Sequence, residues 1–161
     1  NFMKENLFDH IDIPKENINI PSGDISEKDI TKFCSNYEKK IEKNGGIDIQ
    51  LLGIGRTGHI GFNEPGSHFN STTRLITLDH TTRFDASKSF NGIENVPSKA
   101  LTMGVRTIFN SKRIAGAITA GNTFPAVTND CCINIKPRAI ESIFISVTPV
   151  SHVFFESSFN W

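Results

Sequence analysis

Apolar positions along this chain change their spacing several times, and each change marks an element. Phe2, Met3, Leu7 and Phe8 fall on one side of a helical projection, so residues 1–9 read as the end of an amphipathic helix. Pro14 and Pro21 then bracket a stretch predicted to be an extended connection. Ser26 followed three residues later by Asp29 is a capping-box variant, with Asp in place of Glu. Behind it Ile30, Phe33, Cys34, Tyr37 and Ile41 recur at helical spacing, a stripe that predicts core packing with Tyr37 adding a polar tip. Asn44-Gly45-Gly46 stops this helix, because glycine accepts the left-handed conformation needed there.

Residues 47–52 form an apolar run that predicts a buried strand, and residues 74–78 alternate well enough for a second one. Residues 81–90 read as a short helix with Asp85 and Lys88 on its polar side. A short strand at 101–103, a short helix at 105–110 and a strand at 114–119 follow. Strands alternating with helices predict an α/β fold, a mostly parallel sheet with helices on both faces. Beyond residue 119 the pattern fades. Pro125 cannot sit in a helix interior, and the tail from Asn129 to Trp161 is rich in Ser, Phe, Ile and Val without clean periodicity. The expected organisation is therefore one domain over 1–119 and a divergent tail over 120–161, which reads like a foreign or wrongly framed continuation.

Composition narrows the partners. The 161 residues carry 17 Lys+Arg and 17 Asp+Glu, which leaves no basic excess for neutralising a nucleic-acid backbone. A single small phosphate needs only a few local donors, which net charge does not report. Cys34, Cys131 and Cys132 are odd in number and not spaced as a disulfide framework or a zinc site, so no metal is expected. No apolar run approaches the ~20 residues that span a bilayer. No signal peptide is visible, so the expected compartment is the cytosol. The chain opens inside a helix end rather than on Met, which reads as a piece of a larger protein.

The chemistry concentrates in Leu52-Gly53-Ile54-Gly55-Arg56-Thr57-Gly58-His59-Ile60-Gly61-Phe62-Asn63-Glu64-Pro65-Gly66-Ser67, directly after a predicted strand. Glycines there let the backbone approach a ligand, and loops leaving strand ends are where open α/β sheets place their chemistry. His59 and Glu64 have the types and spacing of an oriented acid–base pair. The competing readings are a hydrogen-bonded loop histidine and a carboxylate capping the segment ahead of Pro65.

This run resembles the active-site signature of the glucosamine-6-phosphate deaminases (isomerases), G-x-G-x-[DN]-G-H-I-x-F-N-E-P. The segment from Phe8 to Asn19, the run Ser71-Thr72-Thr73-Arg74-Leu75-Ile76-Thr77-Leu78, and Val96-Pro97 with Ala100-Leu101-Thr102-Met103-Gly104 resemble the same family. The similarity covers residues 1–114, and the wording around Gly55-Arg56-Thr57-Gly58-His59 resembles a long, multidomain branch. Phosphogluconolactonases share the implied Rossmann-like fold, but Phe62-Asn63-Glu64-Pro65 disfavours a hydrolase of phosphorylated lactones.

The resemblance implies conversion of glucosamine 6-phosphate to fructose 6-phosphate and ammonium, without cofactor or metal. Its implied catalytic residues are His59, for ring opening, Glu64, which supports the imidazolium, and Thr57, which stands where the family usually has Asp or Asn. The alternative for Thr57 is a purely structural place in the turn. Gly58 and Lys88 fall at implied substrate-binding positions, Lys88 where an arginine commonly grips the phosphate; a solvated helix lysine is the other reading. Ser67 and Arg74 align with effector-binding positions of allosteric hexameric members, which raises a homo-oligomer of the full-length parent. Arg106 replaces a usual glycine, and residues 120–125 lack the usual phosphate lysine. The family's upstream phosphate loop and catalytic Asp have no counterpart in this sequence. The isolated chain is thus expected to be inactive, and a noncatalytic sugar-phosphate-binding domain is the alternative function.

Overall fold

A computed structural model describes residues 2–54, 57–118, 143–144 and 147–149. The elements run α1 (Phe2–Asn6), β1 (Ile18–Asn19), α2 (Glu27–Lys43), β2 (Ile49–Ile54), β3 (Arg74–Thr77), α3 (His80–Ala86), β4 (Lys99–Thr102), α4 (Val105–Phe109), β5 (Arg113–Ile118), β6 (Ile143–Phe144) and β7 (Val147–Pro149). Single 3₁₀ turns at Phe8–His10, Lys15–Asn17, Ser87–Phe90 and Ile93–Asn95 join several of them. The α/β character expected from the alternating pattern is present. β2 and β5 pair in parallel, as do β1 and β6, whereas β4 pairs antiparallel with β3 on one edge and β7 on the other. The strand–helix alternation predicted parallel pairing, which β1–β6 and β2–β5 show, but it gave no sign of the antiparallel β3–β4–β7 group. Residues 120–125, Cys131, Cys132 and His152 lie outside the described residues, as do Gly55 and Arg56.

Helix α2 builds the core. Tyr37 and Ile41 pack with Leu52 of β2, Met103 and Ile108, while Ile30 and Cys34 pack with Leu101 of β4. Tyr37 keeps its polar tip satisfied by donating to the Asn19 carbonyl oxygen at 3.1 Å. The helix ends in a Schellman arrangement: the Gly46 amide donates to the Ile41 carbonyl and the Gly45 amide to that of Glu42, both glycines having positive φ. Its start differs from expectation. The Ser26 hydroxyl donates to the Asp29 carboxylate instead of accepting from the Asp29 amide, which bonds the Ser26 carbonyl. A carboxylate is the better acceptor for a hydroxyl, and the shorter Asp side chain sits within its reach. Three other segments depart from the periodic reading. The 1–9 helix breaks after Asn6 into a 3₁₀ turn, and 3₁₀ turns also interrupt the Pro14–Pro21 connection and finish the 81–90 helix.

Two connections then fix the loop that follows the motif. Gly104 lies so close to the Ser71 and Thr72 carbonyls that a Cβ would collide with backbone. That approach lets the Ser71 carbonyl accept from the Arg106 amide and the Ser71 hydroxyl accept from the Val105 amide, so the loop occupies the start of α4. From the other side the Glu38 carboxylate on α2 accepts from the Thr73 amide and hydroxyl and from the Thr107 hydroxyl. Thr73 and Thr107 are both buried.

Glu38→Ala leaves the Thr73 amide without its acceptor, at a cost of about 2 kcal/mol. Urea unfolding checks this, and an unchanged midpoint contradicts the clamp. Burial, with the Glu38 charge second, raises the Cys34 thiol above its ordinary range. Less thiolate means slower alkylation. In the folded chain at neutral pH, Cys34 is therefore expected to resist iodoacetamide until denaturant is added, as read by peptide mass mapping.

Candidate active site

Strand β2 delivers the chain to Thr57 and Gly58, where a left-handed turn begins with Gly58 at φ +84°. A Cβ on Gly58 would touch nothing within 4 Å, so the dihedral rather than crowding calls for glycine. His59 follows and is buried, 7% exposed. The next residues reverse direction: the Asn63 amide donates to the Ile60 carbonyl at 3.0 Å, with Gly61 at φ +57° inside the turn. Reversal brings Glu64 back toward His59, five positions along the chain.

The turn is held from β4 and the residues just after it. The Phe62 amide donates to the Thr102 hydroxyl at 3.1 Å, and the Asn63 side-chain amide donates to the Met103 carbonyl at 2.8 Å and the Ile60 carbonyl at 2.9 Å. Phe62 and Asn63 are both buried. Neither anchor was assigned a role from sequence, because both contacts span forty positions.

His59, Glu64 and Thr57 are brought together. His59 Nδ1 lies 3.2 Å from Glu64 Oε1 and 2.9 Å from the Thr57 hydroxyl, which donates to Glu64 Oε2 at 2.8 Å. Glu64 has one further partner that the sequence did not reveal: the Thr82 hydroxyl on α3 donates to Oε1 at 2.8 Å. The proton placement follows from counting donors. The single Thr57 hydroxyl proton goes to the carboxylate, so the oxygen can only accept from the imidazole. Nδ1 must then carry a proton, which leaves Nε2 as the lone-pair nitrogen of neutral His59. The arrangement is a base whose tautomer is set by a carboxylate behind it. Thr57 is a bridge between the two and not only a turn residue.

The remaining candidates sit around this centre. Lys88 is exposed in the 3₁₀ turn that continues α3, six residues after Thr82, and has no ion-pair partner among the described residues. Ser67 lies in the turn after Glu64, its amide donating to the Glu64 carbonyl at 2.9 Å. Arg74 opens β3 and donates to the Thr72 carbonyl at 3.4 Å; partial burial lowers the pKa of its guanidinium. Arg106 sits on α4 with its amide on the Ser71 carbonyl. Among the described residues no cluster of three or more His, Cys, Asp or Glu could hold a metal ion, and no helix is long and apolar enough to cross a membrane.

No family model matches the chain. Individual relatives do. A glucosamine-6-phosphate deaminase of Bacillus pumilus is 49% identical over 113 residues, 70% of this chain and 46% of that protein. The glucosamine-6-phosphate deaminase of Clostridium novyi is 46% identical over 142 residues, 88% of this chain and 58% of that protein. A glucosamine-6-phosphate deaminase-like protein of Bacteroides thetaiotaomicron is 45% identical over 158 residues, 98% of this chain and 24% of that longer protein, so its match continues past residue 119. A solved monomeric glucosamine-6-phosphate deaminase of the NagB superfamily superposes with a TM-score of 0.68 at 46% identity, over 71% of this chain and 47% of its own. The chain spans about half the length of these deaminases and about a quarter of the Bacteroides protein. Sequence identity, shared fold and the signature run through Phe62-Asn63-Glu64-Pro65 together place these residues in the glucosamine-6-phosphate deaminase family.

Proposed function

We propose that the protein carrying these residues isomerises and deaminates glucosamine 6-phosphate to fructose 6-phosphate and ammonium, and that His59 opens the sugar ring. The observation that carries the reading is the hydrogen-bonded set of His59, Glu64 and Thr57. Opening a pyranose requires a proton to leave the anomeric hydroxyl and another to reach the ring oxygen. An imidazole with a free Nε2 can take the first and return the second, a contribution of about 10²- to 10⁴-fold. While Nε2 holds the proton the ring is cationic, and Glu64 lies against Nδ1 to stabilise that charge. A proton then moves from C2 to C1, water adds at C2 and ammonia leaves; the group that takes the C2 proton is not assigned to a residue of this chain.

Lys88 is the proposed phosphate partner, as a point charge lacking the bidentate fork of arginine. Gly58 would let the loop backbone approach the sugar. Ser67 and Arg74 are proposed as effector contacts, the half-buried guanidinium having one long bond to Thr72 to give up. The solved relative is described as monomeric, so the reaction does not call for a homo-oligomer. A cytosolic location suits a phosphorylated sugar substrate. No observation favours the noncatalytic alternative.

The test is ammonium release from glucosamine 6-phosphate. It is run on the 161-residue chain, which is expected to be inactive alone, and on the Bacillus pumilus deaminase with its matching segment replaced by that of this chain. The chimera is expected to turn over, and His59→Gln in it to lower turnover at least 10²-fold with the fold intact. Near-normal turnover of that variant refutes the assignment. Thr57→Asp places a second carboxylate on the imidazole. A nearby negative charge favours the protonated ring, so the pH–rate profile is expected to move to higher pH. An unmoved profile shows that the hydroxyl is not standing in for the family's usual carboxylate.

A further inference from the structure

We infer that Thr82 is a positioning residue that fixes the plane of the Glu64 carboxylate and, through it, the tautomer and proton affinity of His59. The inference rests on the proposed ring-opening role of His59 for its functional meaning, and on geometry for its substance. A carboxylate at the end of a Glu side chain turns over a broad, two-fold torsion unless something holds it. Glu64 is held at both oxygens: Thr57 donates to Oε2 from the loop after β2, and Thr82 donates to Oε1 from α3. Oε1 is also the oxygen that faces His59 Nδ1. Without the Thr82 donor, Oε2 keeps Thr57 while Oε1 keeps only its 3.2 Å contact with Nδ1, too weak by itself to stop it swinging off the imidazole. The Glu64 side chain is 28% exposed, so water is at hand to solvate the released oxygen and complete the loss.

Helix α3 has bonds of its own besides this one. Its N-terminus is capped by the Asp79 carboxylate, which accepts from the Thr81 amide at 2.7 Å and has its pKa lowered by that bond. Its other flank is tied by the Arg83 guanidinium, which donates to the Ile93 and Val96 carbonyls. With α3 capped at its start and tied through Arg83 to residues 93 and 96, the consequence of losing the Thr82 hydroxyl falls chiefly on the carboxylate. Valine has nearly the same shape as threonine and no donor, so Thr82→Val isolates the hydrogen bond, and Thr82→Ser returns the donor.

The experiment is a long-range ¹H–¹⁵N spectrum of the imidazoles in the labelled 161-residue chain, recorded across pH, with the His59 signals assigned by their loss in His59→Gln. The unaltered chain is expected to show neutral His59 as the Nδ1–H tautomer. Thr82→Val is expected to move the two ring nitrogens toward a tautomer average and the His59 titration to lower pH, since a loosened carboxylate stabilises the imidazolium less. Thr82→Ser is expected to restore both. Wild-type His59 signals and titration in Thr82→Val overturn the inference, as does a Thr82→Ser variant that behaves like Thr82→Val. Should Thr82→Val lose its fold by circular dichroism, the unaltered chain decides: a slowly exchanging Thr82 hydroxyl proton close to the Glu64 side chain supports the inference, and its absence overturns it. None of these readouts uses substrate. A Thr82-dependent His59 in a chain whose chimera releases no ammonium refutes the deaminase reading and leaves the positioning role standing.

Discussion

Residues 100–103 are almost wholly removed from water, and β4 is paired along both edges, so the backbone at its end has almost no freedom. Leu101 is 1% exposed and lies under Ile30 and Cys34 of α2, and Met103, also 1% exposed, meets Tyr37, Ile41 and Leu52. A rigid, buried strand end is a good reference point because interiors pack densely and resist local displacement. The Thr102 hydroxyl and the Met103 carbonyl use that rigidity, gripping Phe62 and Asn63 in the middle of the signature run. On the same stretch Gly104 allows the 71–72 backbone to close in, and Glu38 reaches over from α2 to hold Thr73.

The catalytic candidates inherit their positions from this frame. His59 and Glu64 meet because the 60–63 turn between them is bonded to β4 at Phe62 and to Met103, just past its end, at Asn63. Their pairing would otherwise depend on a glycine-rich loop, whose many accessible backbone states make any single arrangement entropically costly. The polar groups form a closed count. Each Glu64 oxygen has a hydroxyl donor, the Thr57 hydroxyl both gives and receives, and the imidazole Nε2 stays outside this network. A threonine at position 57 supplies the geometry of a relay without its second negative charge. The family's usual aspartate would crowd a like charge against Glu64, a repulsion offset only while the imidazole is protonated. The exchange therefore trades charge stabilisation for a network satisfied in the neutral state.

Much of this was legible in the residues. The α2 stripe, its double-glycine stop, the β2 strand and the His59–Glu64 spacing are local patterns, and local patterns follow from 3.6- and 2-residue periods that the sequence displays directly. The signature run and its neighbours were specific enough to indicate the family, and Thr57 was identifiable as a departure from its position alone. Ser26 and Asp29 were read in the right place with the wrong bond, because a short carboxylate offers the hydroxyl a stronger acceptor than the backbone expects.

Other features had no signature in one dimension. Strand direction in the β3–β4–β7 group depends on how the connections cross, and alternation carries no sign for it. Asn63, Thr102 and Thr82 act through partners eighteen to forty residues away, at positions where each alone is an ordinary polar residue. Thr57 was ambiguous between turn and site until its hydroxyl was found between Nδ1 and Oε2. What the sequence by itself determined was which residues can exchange protons and where the helical stripe packs; of the strand expected to be buried at 47–52, Ile49 and Leu51 are exposed. Only the tertiary structure decided which oxygen meets which nitrogen, since a hydrogen bond is made or lost within a few tenths of an ångström and that distance is set by packing far from the motif.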